Sequence, residues 1–343
     1  MTRYKLPKTK EIAMTSNQSG AYGADNTLVD YILGITYEIW EERKIQLIKQ
    51  YYGADTVVYA LDGITRGAAA MIDGTQAMLE SFPDRLLLAD DVIWSGNQRD
   101  GYYSSHRIIS PMTNKGPTIF GPPTGRHASI MSIADCVVEN GVITREWLLR
   151  DNHALIVQLG YDPFGAAKIV ARRRNKESRT WIESEIERLT DAGIPEQGSG
   201  IADPSTSVEE FVLQMISNNL AGGDDPLACL GYAPYAVMQR SPIELYSGRD
   251  AIGGHYAQLR DGIRIAGITI DHIAIQPADS EALRIAVRWT AAGTHSGDYL
   301  GLATTDRPVY LLGSTHWRVE DNRITREWTV FDGLGVLSQL MVW

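Results

Sequence analysis

Apolar positions in residues 25–52, DNTLVDYILGITYEIWEERKIQLIKQYY, recur at the three- and four-residue steps of a helix: Val29, Ile32, Leu33, Ile39, Trp40, Leu47 and Ile48. Asp25 or Asn26 supplies its cap, and Gly34 is the place for a break. A second helix is predicted at about 74–80, ending at Phe82-Pro83-Asp84 because the residue before a proline is steered out of helical geometry. The pattern then changes to short strands: RLLLADDVIWSG, DGYYSSHRIIS, RHASIMSIADCVV and VITREWLLRDNHALIVQL. The second half repeats the order, with helices at about 207–221 and 249–260, then RIAGITIDHIAIQ, ALRIAVRWTAAG, PVYLLGSTHWRV and RITREWTVF. Helices first and an antiparallel meander afterwards predict an α+β fold.

The repetition is literal at the strand ends. GVITREWLLRDNHALIVQLG (141–160) and NRITREWTVFDGLGVLSQLM (322–341) share 8 of 20 positions, against roughly one from ordinary composition. The offset of 181 that pairs Trp147 with Trp328 also pairs Asp151 with Asp332, Gln158 with Gln339, Thr124 with Thr305 and Arg126 with Arg307. The chain therefore reads as a tandem duplication of a whole domain. The expected units are a polar tail over 1–25, a first domain over 26–162, a helical connector and Pro/Gly/Ser linker over 163–204, and a second domain over 205–343.

Each half ends in a hairpin, with turn residues ENG at 139–141 and EDN at 320–322. A two-residue loop and unbroken pairing set Ala134 against Trp147 and His316 against Glu327. Trp328, Val330 and Asp332 then share one face, and Glu327 and His316 the other. If helices cover the tryptophan face, Asp332 sits at the edge of an apolar cavity, where desolvation raises its pKa toward that of a working base.

Composition narrows the function classes. The formal charge of -10 argues against a phosphate-backbone partner, and the one basic run, ARRRNK at 171–176, is followed by acidic residues at helical spacing. Two cysteines, Cys136 and Cys229, stand at non-equivalent places of the repeat, which supports neither a disulfide framework nor a cysteine metal site. GGDDP at 222–226 reads as a helix-ending turn rather than a metal loop. The polar N-terminus and the lack of a long apolar run predict a cytoplasmic protein without membrane association.

These residues resemble the SnoaL-like polyketide cyclases, also called ester cyclases, of the nuclear transport factor two-like superfamily. The resemblance is carried by Phe82-Pro83-Asp84 after the helices, GPPTGR at 121–126, QLG at 158–160, GTHSG at 293–297 and the two REW hairpins. It implies two cone-shaped domains, each a curved antiparallel sheet packed with N-terminal helices, and a pocket between sheet and helices. It implies cofactor-free acid–base chemistry without a metal, in which an aspartate takes a proton beside a carbonyl of a small hydrophobic ligand. The matching catalytic positions are Asp332 and Asp151, with His316 and His295 as histidine candidates. His316 reaches the Asp332 face only if a bulge intervenes.

Trp328, Arg288, Trp289, Tyr235, Trp147, Tyr37 and Trp40 are the expected substrate-binding set. Arg288 lies in a strand, where its guanidinium has to find a carboxylate, solvent or an anionic ligand. The second half keeps Arg288, His295 and Asp332, so it is the expected seat of chemistry. Apolar sheet faces are expected to pack together as an intramolecular pseudo-dimer, with room for a further homodimer. The alternatives to an enzyme are a non-catalytic small-molecule binder, and a structural dimerisation module in which the cone is filled.

Overall fold

The computed structural model describes residues 27–196, 203–205, 207–222, 230–278 and 282–341. The predicted tail, the caps at Asp25 and Asn26, Cys229 and most of the 222–226 turn lie outside the described residues. The first half runs α1 (Thr27–Thr36), α2 (Ile48–Tyr51), β1 (Tyr52–Ala60), β2 (Gly63–Arg66), α3 (Gly67–Ser81), β3 (Leu88–Asn97), β4 (Gly101–Thr113), β5 (His127–Glu139) and β6 (Val142–Arg150). After α4 (Asn152–Leu159) come the connecting helices α5 (Pro163–Arg173) and α6 (Lys176–Ala192). The second half comprises α7 (Val208–Ala221), β7 (Tyr232–Ser241), β8 (Glu244–Ser247), α8 (Arg249–Gly262), β9 (Ile263–Pro277), β10 (Leu283–His295), β11 (Pro308–Glu320), β12 (Arg323–Phe331) and α9 (Gly333–Leu340).

Both sheets have six strands in the same order, β2-β1-β6-β5-β4-β3 and β8-β7-β12-β11-β10-β9. The fold is α+β with two tandem cones, as expected, but the sheets are mixed rather than purely antiparallel. β1 runs parallel to β6, and β7 parallel to β12. The short hairpins β1–β2 and β7–β8, absent from the predicted elements, occupy the edge of β6 or β12 that the meander leaves free. The long N-terminal helix breaks at residues 42–44 instead of at Gly34. α1 runs on into a π turn over Tyr37–Glu41, and Arg43 takes a positive φ of 61°.

The terminal hairpins have the predicted two-residue loops. Asn140 and Gly141 (φ 52° and 76°) and Asp321 and Asn322 (48° and 60°) sit in the left-handed region that a tight hairpin turn requires. The register beyond them differs by one residue. Val138 pairs with Ile143 and Val137 with Arg145, so Thr144 is extruded as a bulge; Thr325 is its counterpart. His316 consequently opposes Trp328, and Asp135 opposes Trp147. Histidine and tryptophan share a face, and that face meets the other sheet rather than the helices.

Across this contact between sheets the two halves exchange side chains reciprocally. The Arg107 guanidinium lies 3.8 Å from the Trp328 ring centroid, and that of Arg288, its repeat equivalent, 3.3 Å from that of Trp147. Ser105 Oγ meets His316 Nε2 at 2.7 Å, and Ser95 Oγ meets His272 Nε2 at 2.8 Å. Toward α4, α5 and α9 the contact turns apolar, with Met131, Ile133 and Leu149 in one cluster with Leu312, Val330 and Val336. Arg174, the last arginine of the basic run, is buried here and donates to Leu61 O and Ser338 Oγ, while Arg172 and Arg173 remain exposed.

Candidate active site

The cone faces opposite this contact have different fates in the two halves. In the second half the carboxyl of Glu327 takes hydrogen bonds from Tyr232, Tyr256, Trp317 and Thr329. Trp289 hydrogen-bonds Thr315, and its indole occupies the space that a Cβ on Gly313 would need. Phe211 and Met215 of α7 complete a filled interior. Applying the offset of 181, the first half has Cys136 for Trp317, Thr75 for Tyr256, Ile108 for Trp289 and Leu148 for Thr329. The same backbone, with smaller side chains at the three aromatic positions, encloses a cavity of about 420 Å³, within the range of small-molecule sites.

α1 and α3 contribute Ile32, Ile35, Met71 and Met78 to its wall, and Trp40 lies beside them. The sheet contributes polar groups in rows, because alternate residues of each strand face the helices. One row holds Cys136 and Glu146, the next His106, Ala134 and Leu148, and the third Ile108, Ser132 and Arg150. Burial pushes the Glu146 carboxyl up to about 7, against a hydrogen bond from Tyr52 and the charge of Arg150. Tyr52 is itself raised well above the phenol range by burial and by Glu146. His106, only 2 % exposed, is lowered to about 4 by burial and then by Arg107, so its imidazole is neutral. Its Nε2 and the Oγ of Ser132 are buried without a hydrogen-bond partner, a costly state that a polar ligand would relieve.

Of the predicted site residues only Trp40 lines this cavity. Asp332 N-caps α9, accepting from Leu334 N at 3.1 Å and from Asn152 Nδ2 at 2.8 Å. Burial, then the charge of Asp62, pushes it up to about 7, in the direction that desolvation predicts. The strand ends at Phe331, so the face alternation does not carry through to Asp332. Asp151 does the same for α4, accepting from Ala154 N, and its carboxyl is raised by burial although Arg240 lies 3.8 Å away. Neither aspartate lines the cavity.

His295 is buried at the end of β10. Its Nδ1 accepts from Thr305 N at 3.1 Å, as Asn114 Oδ1, at the equivalent position, accepts from Thr124 N at 2.8 Å. Both residues pin the loop that follows. His316, Arg288, Trp147 and Trp328 belong to the contact between sheets, and Trp289 fills the second cone. Tyr37 sits half-buried in the π turn, and Tyr235 is 69 % exposed beside an open groove with Arg326 and Trp328. The groups that do converge, Glu146, Tyr52, His106 and Ser132, carried one sequence signal. The glutamate before the tryptophan occurs in both REW hairpins, on the face opposite the tryptophan.

The chain matches the SnoaL-like polyketide cyclase family over residues 31–159 and 239–340, one stretch in each cone. It belongs to that family. Three solved structures are similar over about two-fifths of this chain. A SnoaL-like polyketide cyclase from Agrobacterium tumefaciens is 19% identical, with 39% of this chain and 98% of that one covered, and a TM-score of 0.33. TsrD from Streptomyces laurentii gives 18%, 40%, 98% and 0.35, and IdmH from Streptomyces antibioticus 21%, 39%, 99% and 0.34. No curated protein matches the chain. Among the described residues this SnoaL-like protein has no helix long and apolar enough to cross a membrane, and no group of three His, Cys, Asp or Glu side chains placed to hold a metal ion.

Proposed function

We propose that the first cone is the reactive half of this SnoaL-like protein and that Glu146 is its acid–base residue, acting on a carbonyl compound with an apolar body. The observation carrying this reading is a buried carboxyl with a pKa of about 7 on the wall of a 420 Å³ cavity. A base whose pKa lies near the ambient pH is ionised often enough to act and basic enough to take a proton from carbon beside a carbonyl. The enolate oxygen can be met by the Tyr52 hydroxyl or by an Nε2–H of neutral His106, both donors in a water-poor site. Attack of the enolate carbon on a second carbonyl closes a ring, and the protonated Glu146 delivers its proton to the new alkoxide. The balance is that of an intramolecular aldol addition.

The second cone fits the structural alternative, since its equivalent glutamate is saturated by four donors and its interior is packed. The test follows solvent deuterium into the acidic C–H positions of a panel of aryl ketones and keto esters. Glu146→Gln is expected to lower catalysed exchange at least 100-fold, and Glu327→Gln to leave the rate of the folded protein within twofold. The wild-type rate should rise with pH to a plateau with its midpoint near 7. Full exchange in Glu146→Gln, or its loss in a folded Asp332→Asn or Asp151→Asn, would move the chemistry elsewhere.

A further inference from the structure

Beyond Glu146, whose carboxyl feels the charge of Arg150, the cavity carries guanidiniums that no ion pair among the described residues engages. Arg85 is 8 % exposed; its Nε donates to Ser110 Oγ at 2.9 Å, which fixes the guanidinium plane, and no described residue engages its two Nη atoms. Arg150 lines the same wall, its Nε buried without a partner and its guanidinium free of any hydrogen bond or ion pair among the described residues. A third guanidinium, Arg43, donates through Nη2 to the Arg85 carbonyl at 2.9 Å. Burial, then repulsion from Arg150 and Arg43, lowers Arg85 to about 9. One buried and one half-buried guanidinium facing one cavity, neither in an ion pair among the described residues, are unfavourable for folding alone and well suited to an anion held by paired N–H groups. The orphan Oγ of Ser132 lies in the same row as Arg150.

Glu146 and Arg150 are four residues apart on one face of β6, roughly 13 Å along the strand. Between them lie Ala134, Leu148 and His106, with Trp40, Met71 and Met78 on the helical wall. We propose that the substrate is an amphiphilic carboxylate, its carboxylate held between Arg85 and Arg150 and its apolar body crossing the cavity so that a reactive carbonyl reaches Glu146. This assignment rests on the acid–base reading for which end reacts, but the anion site itself does not. Charge at the far end would hold the reacting carbon in register, which a purely apolar pocket does poorly.

The experiment uses 6-phenylhexanoate, its methyl ester and 6-phenylhexyl phosphate as probes, titrated calorimetrically into the full chain. The acid should bind at least tenfold more tightly than the ester. Arg150→Gln and Arg85→Gln should each erase most of that preference, and Glu146→Gln should keep it. If Arg85→Gln does not fold, Arg85→Lys replaces it and should retain part of the preference. Equal binding of acid and ester, or an undiminished preference in the arginine variants, overturns the anion site. Tighter binding of the phosphate than of the carboxylate overturns the choice of carboxylate. Retained preference in Glu146→Gln together with unchanged deuterium exchange would sink the acid–base reading and leave the anion site standing.

Discussion

Two carboxyls, Glu146 and Asp332, are pushed by burial to about the same value near 7, and only their surroundings separate their roles. Asp332 has its oxygens engaged by a helix N-terminus and by Asn152 and lies outside the cavity lining. Its effect falls on stability. A carboxyl raised from 3.8 in the unfolded chain to about 7 in the folded one favours the folded state at low pH. That contribution is complete below about 4 and is lost as pH rises to about 7. The size is on the order of 4 kcal/mol as an upper bound. Asp332→Asn, which can still cap α9, should flatten the fall in melting temperature between pH 4 and 7 and raise stability at pH 8. An unchanged pH slope in thermal melts would show that Asp332 does not titrate there.

At the scale of elements, the difference between the cones is a matter of side-chain volume on one shared backbone. Thr75→Tyr with Cys136→Trp, copying Tyr256 and Trp317, should fill the first cavity and abolish binding of the apolar probe, with the melting temperature held or raised. The converse, Trp317→Cys, should cost about 3–5 kcal/mol in urea unfolding; a cost below about 1 kcal/mol would mean that the second cone is not packed as described. The long strands, most helices and the duplication were legible because hydrophobic period and repeat offset are carried by many residues at once. The short hairpins β1–β2 and β7–β8 were missed, and the last predicted strand of the first half ends at Arg150, its remainder forming α4. The facing of the strands was not legible either. A single extruded residue, Thr144 or Thr325, inverts the pairing, and neither threonine differs in type from an ordinary strand residue. The glutamate of REW was legible as lying opposite the tryptophan. Which of those faces met the helices was hidden, because the tryptophan face is also covered, by the other sheet. His295 misled for a related reason: a histidine beside glycines looks like an exposed catalytic group until the loop it pins is seen.

For the whole molecule, the duplication has turned one sheet face of each half into the mate of the other. Reciprocity does not mean identity: Arg107 meets Trp328 and neutral His316, whereas Arg288 meets Trp147, lies 3.9 Å from Asp271 and acts through its charge on the buried carboxyl of Asp135. Burial raises Asp135 and the charge of Arg288 opposes that rise, so the arginine is the main counterweight to a carboxylate shut between two sheets. Removing it in Arg288→Met should strand that carboxylate and cost about 3–5 kcal/mol. Asp135→Asn alone should cost far less, and added to Arg288→Met it should restore most of the loss, because the stranded charge is then gone. Neither residue lines the first cavity, so the affinity of folded variants for the carboxylate probe should stay within about twofold of wild type. Urea unfolding of the four proteins of this cycle decides the matter. If the two substitutions add without interaction, Asp135 is neutral in the folded protein, and no charge pair of Asp135 with Arg288 helps to hold the halves together.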